Sequence, residues 1–444
     1  MRTRRFLWGA FWIFVYLLLT LAPLLVLIGT PAPPGRYFLR EVSVALGFAG
    51  LGMMALQFAL TARIGAIKRP FGSDVVYHFH RQISIVAFVL ILAHPILLFV
   101  TDPETIGLLN IFSAPMRARF ATLGLLALIA IMITSLWRKK LKINYYPWRI
   151  AHGLLAIVAV SFGLIHSILV GYYINTPWKQ ALWVAYGLFW IGLLLYVRLI
   201  RPFWLVRRPW IVEEVKAERG RAYTLVLRPD GHKGHRFQPG QFAWINVWHT
   251  PFADAEHPFS YSSSAERTGC IDFTIKELGD FSSTIKNVPV GHRVYVDGPY
   301  GAFVPDDHPA RKGYIFIAGG VGITPVMGIL RTLADRGDQR RLLLIYGSRD
   351  WESITFREEI EELEGRLNLE VVHILENPDE SWQGEKGFIS ASLLRRYMPA
   401  DRTRDHYEIF LCGPEPMLNA VETILEKDLR ISWDDIHLER FNLV

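Results

Sequence analysis

The chain has 444 residues, 51% of them hydrophobic, with a mean hydropathy of +0.23 and a formal net charge of +7. That hydropathy is high for a wholly soluble protein, and the length suits two or three domains. The basic excess lies largely beside apolar runs and does not call for nucleic acid; two cysteines, Cys270 and Cys412, give no disulfide framework and no zinc site.

Six segments near the start are long and apolar enough to cross a bilayer: 6–28, 40–62, 79–101, 120–137, 149–172 and 181–200. The first follows a basic Met1–Arg5 and has the outline of a signal peptide, but its apolar run is long, so an uncleaved first helix is expected. Between spans, one side collects Arg2, Arg4, Arg5, Arg63, Lys68, Arg69, Arg138, Lys139, Lys140, Lys142, Arg201, Arg207 and Arg208. The other side has Arg36, Arg40, Arg117, Arg119 and Lys179. The positive-inside rule then puts both termini in the cytoplasm of a multi-pass plasma (inner) membrane protein.

Two histidine pairs, His80/His94 and His152/His166, lie in the third and fifth spans with equal spacing. Fourteen residues at about 100° each return to within roughly 40° of the same face and climb about 21 Å. His78 is rotated roughly 160° from His94, so His80 is the better partner. The two spans run in the same direction, which pairs His80 with His152 on the cytoplasmic side and His94 with His166 on the far side. Imidazole in lipid is costly without a partner, and two bis-histidine haems satisfy all four rings. Arg81 and Arg149 lie near the inner pair, either to meet haem propionates or as ordinary interfacial arginines. A six-helix transporter with a redox-sensing domain is the non-enzymatic alternative. With both axial positions filled, iron shuttles single electrons and an acceptor is reduced at the haem edge.

From about 210 to 305, short alternating stretches such as Tyr223–Arg228, Phe242–Val247 and Ile271–Lys276 predict an antiparallel β-barrel. Beyond Tyr314, strands alternate with helices: Tyr314–Ala318, a helix to Asp335, Leu342–Tyr346, Glu370–Ile374 and Glu408–Leu411. This predicts a doubly wound α/β domain with its ligand at the carboxyl ends of the strands. Gly319-Gly320-Val321-Gly322-Ile323-Thr324-Pro325 follows the first of these strands and opens a helix, the context in which glycines and free N–H groups receive a pyrophosphate. The second strand ends Ser348-Arg349-Asp350. An arginine there accommodates a 2′-phosphate, which favours NADPH, while Asp350 is a candidate for the ribose hydroxyls of NADH.

Barrel and nucleotide domain together resemble the ferredoxin–NADP reductase family. The resemblance rests on His257-Pro258-Phe259-Ser260 at the flavin motif, Gly319–Pro325 at the nucleotide motif, Cys412-Gly413-Pro414 and the near-terminal Phe441. Joined to six helices with paired histidines, the whole chain resembles the NADPH oxidase and transmembrane ferric reductase superfamily. The resemblance implies three parts: a haem domain over 1–205, an FAD-binding barrel over 206–308 and an NADPH-binding domain over 309–444. It implies that His257 meets the FAD phosphate or ribityl chain, Phe259 packs on the ring and Ser260 hydrogen-bonds near flavin N5. Gly279-Asp280-Phe281-Ser282-Ser283 resembles a second flavin segment, and hydroxyls and N–H groups at a helix start suit a phosphate in their own right; a plain N-cap is the alternative. Cys412 would lie near the nicotinamide carbon, and Phe441 would cover the flavin face.

The expected activity runs from cytosolic NADPH through FAD and two b-type haems to an acceptor outside. Dioxygen, giving superoxide, stands first among acceptors and ferric chelate second, with quinone or a periplasmic protein behind them. With only five residues ahead of the first span and no calcium-loop motif, activity without an obligate protein partner is expected.

Overall fold

The computed structural model describes residues 2–28, 33–64, 73–253, 255–308, 312–399 and 407–441. Lys68 and Arg69, and the side chains of Arg2, Arg4 and Arg5, lie outside the described set. The chain separates into two compact units, one over Met1–Phe71 and Val75–Arg201 and the other over Gly72–Asp74 and Pro202–Val444.

The first unit is a set of helices: α1 (Arg2–Ile28), α2 (Phe38–Thr61), α3 (Ser73–Thr101), α4 (Met116–Leu136), α5 (Tyr145–Val170) and α6 (Pro177–Leu195). Each is long and apolar enough to span a membrane, and α6 runs on through a π-helical turn at Tyr196–Ile200 to Val206. The third helix starts earlier than the apolar run predicts, because its polar first turns hold helical geometry. Boundaries follow local chemistry: Pro177 supplies the first residue of α6, and Gly171, at φ +64°, ends α5 in the left-handed conformation.

Small residues set the helix spacing. A Cβ on Gly50 of α2 would lie 2.6 Å from Ile91 and 3.2 Å from the Ala87 carbonyl of α3. Without a hydrophobic drive between helices in lipid, such backbone approach is what holds them. At mid-height, Met54, Ala87, Ala127, Leu128, Ala159, Val160 and Trp190 close a buried apolar layer.

The second unit begins with a six-stranded antiparallel sheet in the order β4-β3-β6-β1-β2-β5. Its strands are β1 (Trp210–Glu218), β2 (Ala222–Pro229), β3 (Phe242–Asn246), β4 (His257–Ser260), β5 (Ile271–Lys276) and β6 (Arg293–Tyr300). A bridge from Tyr261 to Phe273 links the two edges, closing a barrel around Leu225, Ile245, Tyr261 and Phe273. A four-residue helix, α7 (Asp280–Ser283), follows β5.

The parallel sheet that follows has the order β10-β9-β8-β7-β11-β12. Its elements are β7 (Gly313–Gly319), α8 (Ile323–Asp335), β8 (Arg341–Ser348), α9 (Arg357–Glu364), β9 (Leu369–Leu375), β10 (Glu385–Lys386), α10 (Ala391–Tyr397), β11 (Glu408–Cys412), α11 (Glu415–Thr423) and β12 (Ile436–Glu439). Cores lie on both faces, which is why β7 and β8 read as unbroken apolar runs rather than as alternation.

Arginines tie this domain to the barrel. Arg331 on α8 donates to both oxygens of Glu359, at 2.6 and 2.5 Å, and to the Ser262 carbonyl at 2.5 Å. Replacing Arg331 with alanine removes these charge-assisted bonds and is expected to cost about 2–3 kcal/mol. Heating the flavin-loaded protein should then release flavin fluorescence roughly 5–10 °C lower than in the wild type.

Candidate functional site

In the first unit, α3 and α5 bring the four histidines into two levels. The His94 and His166 rings lie 6.4 Å apart between centroids, inclined at 58°. His94 Nδ1 is 2.9 Å from the Ser43 carbonyl oxygen, and the Ser43 hydroxyl donates to the His94 carbonyl at 2.8 Å. His166 Nδ1 is 2.8 Å from the Arg117 carbonyl oxygen. A carbonyl only accepts, so in both rings Nδ1 carries the proton and Nε2 keeps its lone pair. That is how proteins orient an iron-binding imidazole.

At the other level, which holds His80 and His152, His152 Nδ1 is 3.3 Å from the Ser135 hydroxyl. The Trp148 ring packs 5.1 Å from His152, and His80 Nδ1 is buried without a hydrogen-bond partner. His78 is exposed, as is Arg81, while Arg149 is half-buried. Ala87 and Ala159, midway between the histidines of their helices, belong to the apolar layer that separates the levels.

A cavity opens at the His94/His166 level, lined by both rings, by Gly47, Ala118, Ala121, Gly124 and Gly163, and by Leu51, Phe99 and Leu128. Arg36, Tyr172, Tyr173 and Ile174 also line it, with the Arg36 guanidinium 4.2 Å above the Tyr172 ring. Two neutral imidazoles flanking an apolar cavity walled by small residues fit a bis-histidine haem. Ser43, Ser135 and the Arg117 carbonyl were not legible as partners, since each reaches its histidine from a different helix.

In the second unit, β4 runs antiparallel to β3, with Ser260 opposite Phe242 and His257 opposite Ile245. The two segments that resemble flavin motifs meet: His257 stacks on Phe281 at 3.8 Å, and Phe259 lies parallel to Phe281 at 6.0 Å. Ser260 is 3% exposed, and its hydroxyl is buried without a hydrogen-bond partner. Leaving such a group unsatisfied costs about 1–3 kcal/mol, so it suits a bound polar atom such as a flavin nitrogen. Ser282 uses its hydroxyl locally, accepting from the N–H groups of Leu278 and Gly279 at 2.9 Å each, and the Ser283 hydroxyl donates to Asp280. Both serines thus act in capping this turn, which Asp280 opens.

The parallel sheet changes winding direction between β7 and β11, and the nucleotide-motif residues gather at the carboxyl ends of these strands. A Cβ on Gly322 would lie 2.3 Å from the Cys412 carbonyl and 2.8 Å from Gly413 Cα. One on Gly319 would lie 2.4 Å from Met417 and 3.0 Å from Pro414. Gly320 takes φ +53° in this turn, and its carbonyl accepts from the Tyr346 hydroxyl at 3.1 Å. Thr324 is buried, donates to Val321 and opens α8 with Pro325. Farther along α8, a Cβ on Gly328 would lie 2.5 Å from the Tyr261 carbonyl, so the nucleotide helix sits directly against the end of the flavin strand.

At the end of β8, Ser348 is buried and Arg349 is exposed. The Asp350 carboxylate accepts from the Ser353 N–H at 2.8 Å, capping the turn Trp351–Ser353. Cys412 is fully buried, and burial, with Glu439 nearby, pushes its thiol well above the ordinary range, so it is no thiolate nucleophile at neutral pH. Glu439 stands opposite Cys412 in the β11–β12 ladder, which carries the chain to Phe441 at the same end of the sheet. Phe441 is 37% exposed and is not a core residue closing the last strand.

Comparison with known proteins agrees with this layout. The ferric reductase like transmembrane component family matches residues 46–163, an FAD-binding domain family matches 223–304, and the oxidoreductase NAD-binding domain family matches 316–423. The NADH-cytochrome b5 reductase 2 of Phaeosphaeria nodorum is 33% identical over 169 residues, covering 37% of this chain and 50% of that protein. The reductase component DmpP of phenol 2-monooxygenase from a Pseudomonas sp. is 33% identical over 211 residues, covering 46% and 58%. The ferredoxin reductase in carbazole 1,9a-dioxygenase, a solved structure, is 29% identical, with 53% of this chain and 69% of that one covered at a TM-score of 0.45. The chain spans about half the length of the curated relatives it matches first. A ferric-reductase-like set of membrane helices followed by FAD- and NAD-binding domains gives this chain the domain set of the NADPH oxidase and transmembrane ferric reductase superfamily, with a ferredoxin–NADP reductase-like half.

Proposed function

We propose that the protein moves electrons from cytosolic NADPH, through FAD and two b-type haems, to dioxygen on the far side of a plasma (inner) membrane, releasing superoxide. The observation that carries this reading is the His94/His166 level, where both Nδ1 atoms are spent on backbone carbonyls and both rings face one cavity. His80 with His152 would hold the inner haem and His94 with His166 the outer. When bound, FAD would take one hydride, a pair of electrons, from NADPH, and the haems would carry those two electrons onward one at a time.

The remaining work belongs to side chains and backbone. His257, Phe259 and Phe281 form an aromatic wall for FAD, and the unsatisfied Ser260 hydroxyl orients its reactive edge. Asp280, Ser282 and Ser283 hold the turn that Gly279 enters, which presents the second flavin segment. Gly319, Gly320 and Gly322 let the NADPH pyrophosphate approach the backbone, while Thr324 and Pro325 fix the first turn of α8. Cys412, Gly413 and Pro414 shape the nicotinamide pocket, and Phe441 shields the flavin face until nicotinamide arrives. Basic residues concentrated on one side of the spans support cytoplasmic termini, and no further protein is required for turnover.

Arg349 supports NADPH over NADH, while Asp350 caps the next turn through one of its two oxygens. Arg349→Ala is expected to raise KM for NADPH by about 10–100-fold, the value of one or two charge-assisted bonds, with little change for NADH. Steady-state kinetics with both nucleotides checks this, and equal effects would remove the assignment.

The acceptor is tested by NADPH-driven reduction of external cytochrome c by the purified, FAD-supplied protein, with and without superoxide dismutase. Suppression by the dismutase supports the oxidase. Reduction that ignores the dismutase and continues without oxygen favours direct transfer to a ferric chelate, the reading suggested by the description of the matched transmembrane family.

A further inference from the structure

Within the second unit, His308, Glu408 and His437 converge at the end of the parallel sheet opposite the glycine-rich turn. Glu408 opens β11, His437 lies in β12 and His308 follows the turn Pro305–Asp307, so three separate chain segments meet. Their candidate ligand atoms all lie within 4.8 Å of one another. His308 Nδ1 is 3.3 Å from one Glu408 oxygen, and His437 Nε2 is 2.5 Å from the other. The two rings are 4.6 Å apart, and Phe410 packs 4.7 Å from His437.

Glu408 is 0% exposed, and both imidazoles pair with it. A buried carboxylate needs a compensating positive charge or a metal ion. A divalent cation brings that charge and can bind all three groups at once.

We propose that His308, Glu408 and His437 form a zinc-binding site that clamps the last strand to the body of the nucleotide domain. Two histidines and a carboxylate are a borderline-soft set suited to zinc, with water completing the tetrahedron. Two ligand atoms at about 2.0–2.1 Å from a tetrahedral zinc stand roughly 3.3 Å apart, the separation already present between His308 and Glu408. The shorter His437 contact lengthens on binding. The site uses no cysteine, which is why the cysteine count did not point to it. Its effect is mechanical: Phe441 lies four residues beyond His437, so fixing His437 fixes the strand that delivers Phe441.

The test uses the haem- and flavin-loaded whole chain, exposed to zinc sulfate and washed with a weak chelator. Zinc is then counted by elemental analysis in the wild type, His437→Gln and His308→Gln. The wild type should retain about one more zinc per chain than either variant, with X-ray absorption at the zinc edge showing nitrogen and oxygen ligands near 2.0 Å. Chelator competition should show binding weakened at least about tenfold in the variants. Equal zinc in wild type and variants, a sulfur-ligated zinc, or a wild type that retains none would overturn the site and leave an imidazolium–carboxylate cluster. Should both variants misfold, chelator competition and the zinc-edge spectrum of the wild type alone decide the question.

Discussion

Replacing His166 with alanine is expected to stop electron transfer across the membrane while leaving reduction of FAD by NADPH intact. His166 is held by the Arg117 carbonyl and faces His94 across the cavity, so alanine would remove one of the two proposed haem ligands there and nothing from the reductase half. Weakening only an outer hydrogen bond to a metal ligand typically costs about 10–100-fold in affinity, so deleting the ligand should exceed that. Haem content should fall from about two per chain to about one, and reduction of an external acceptor by roughly 100-fold or more. Stopped-flow bleaching of flavin absorbance separates the two halves of the reaction. Two haems retained in the variant, or undiminished turnover, would refute the pairing, and a wild type without haem absorbance would favour the transporter alternative.

A comparable loss is expected from Gly322→Ala, at the other end of the electron path. The added methyl would stand 2.3 Å from the Cys412 carbonyl and 2.6 Å from its carbon, with backbone rather than a flexible side chain in the way. Either the glycine turn or the Cys412–Pro414 loop must shift, at about 1–3 kcal/mol or more. Both loops shape the proposed nucleotide pocket, so KM for NADPH should rise roughly 10–100-fold while FAD stays bound. Bound flavin is read by absorbance and nucleotide affinity by titration of the resting protein. Unchanged NADPH binding would mean the nucleotide lies elsewhere.

The features that repeat along the chain were legible in advance. Six apolar runs became six helices long enough to span, and the apolar stretches at β7, β8 and β9 became parallel strands within a residue or two of the expected limits. The glycine-rich turn was legible because strand, turn and helix occur in order. Strand β4 was harder to read: it has four residues, and Pro258 argues against a strand except at a sheet edge, where β4 lies. Asp350 also caps the turn that follows it by accepting from Ser353, a role that the sequence reading did not assign to it. The partners of the histidines, and the meeting of His308, Glu408 and His437, were not legible, because contacts between distant segments leave no local pattern.

The apolar layer at mid-height has a consequence for the energetics of the cell. In the proposed reading electrons cross the layer of Met54, Ala87, Leu128, Ala159, Val160 and Trp190. Among these described residues the Trp190 indole is the one polar side chain, and it makes no proton chain by itself. On that reading charge crosses uncompensated, and every turnover is an electric current. In the orientation proposed, a negative cytoplasm drives the electron outward by about 2.3 kcal/mol per 100 mV over the full membrane thickness. The same current discharges that potential, so sustained turnover depends on a separate route by which cations leave the cytoplasm or anions enter it.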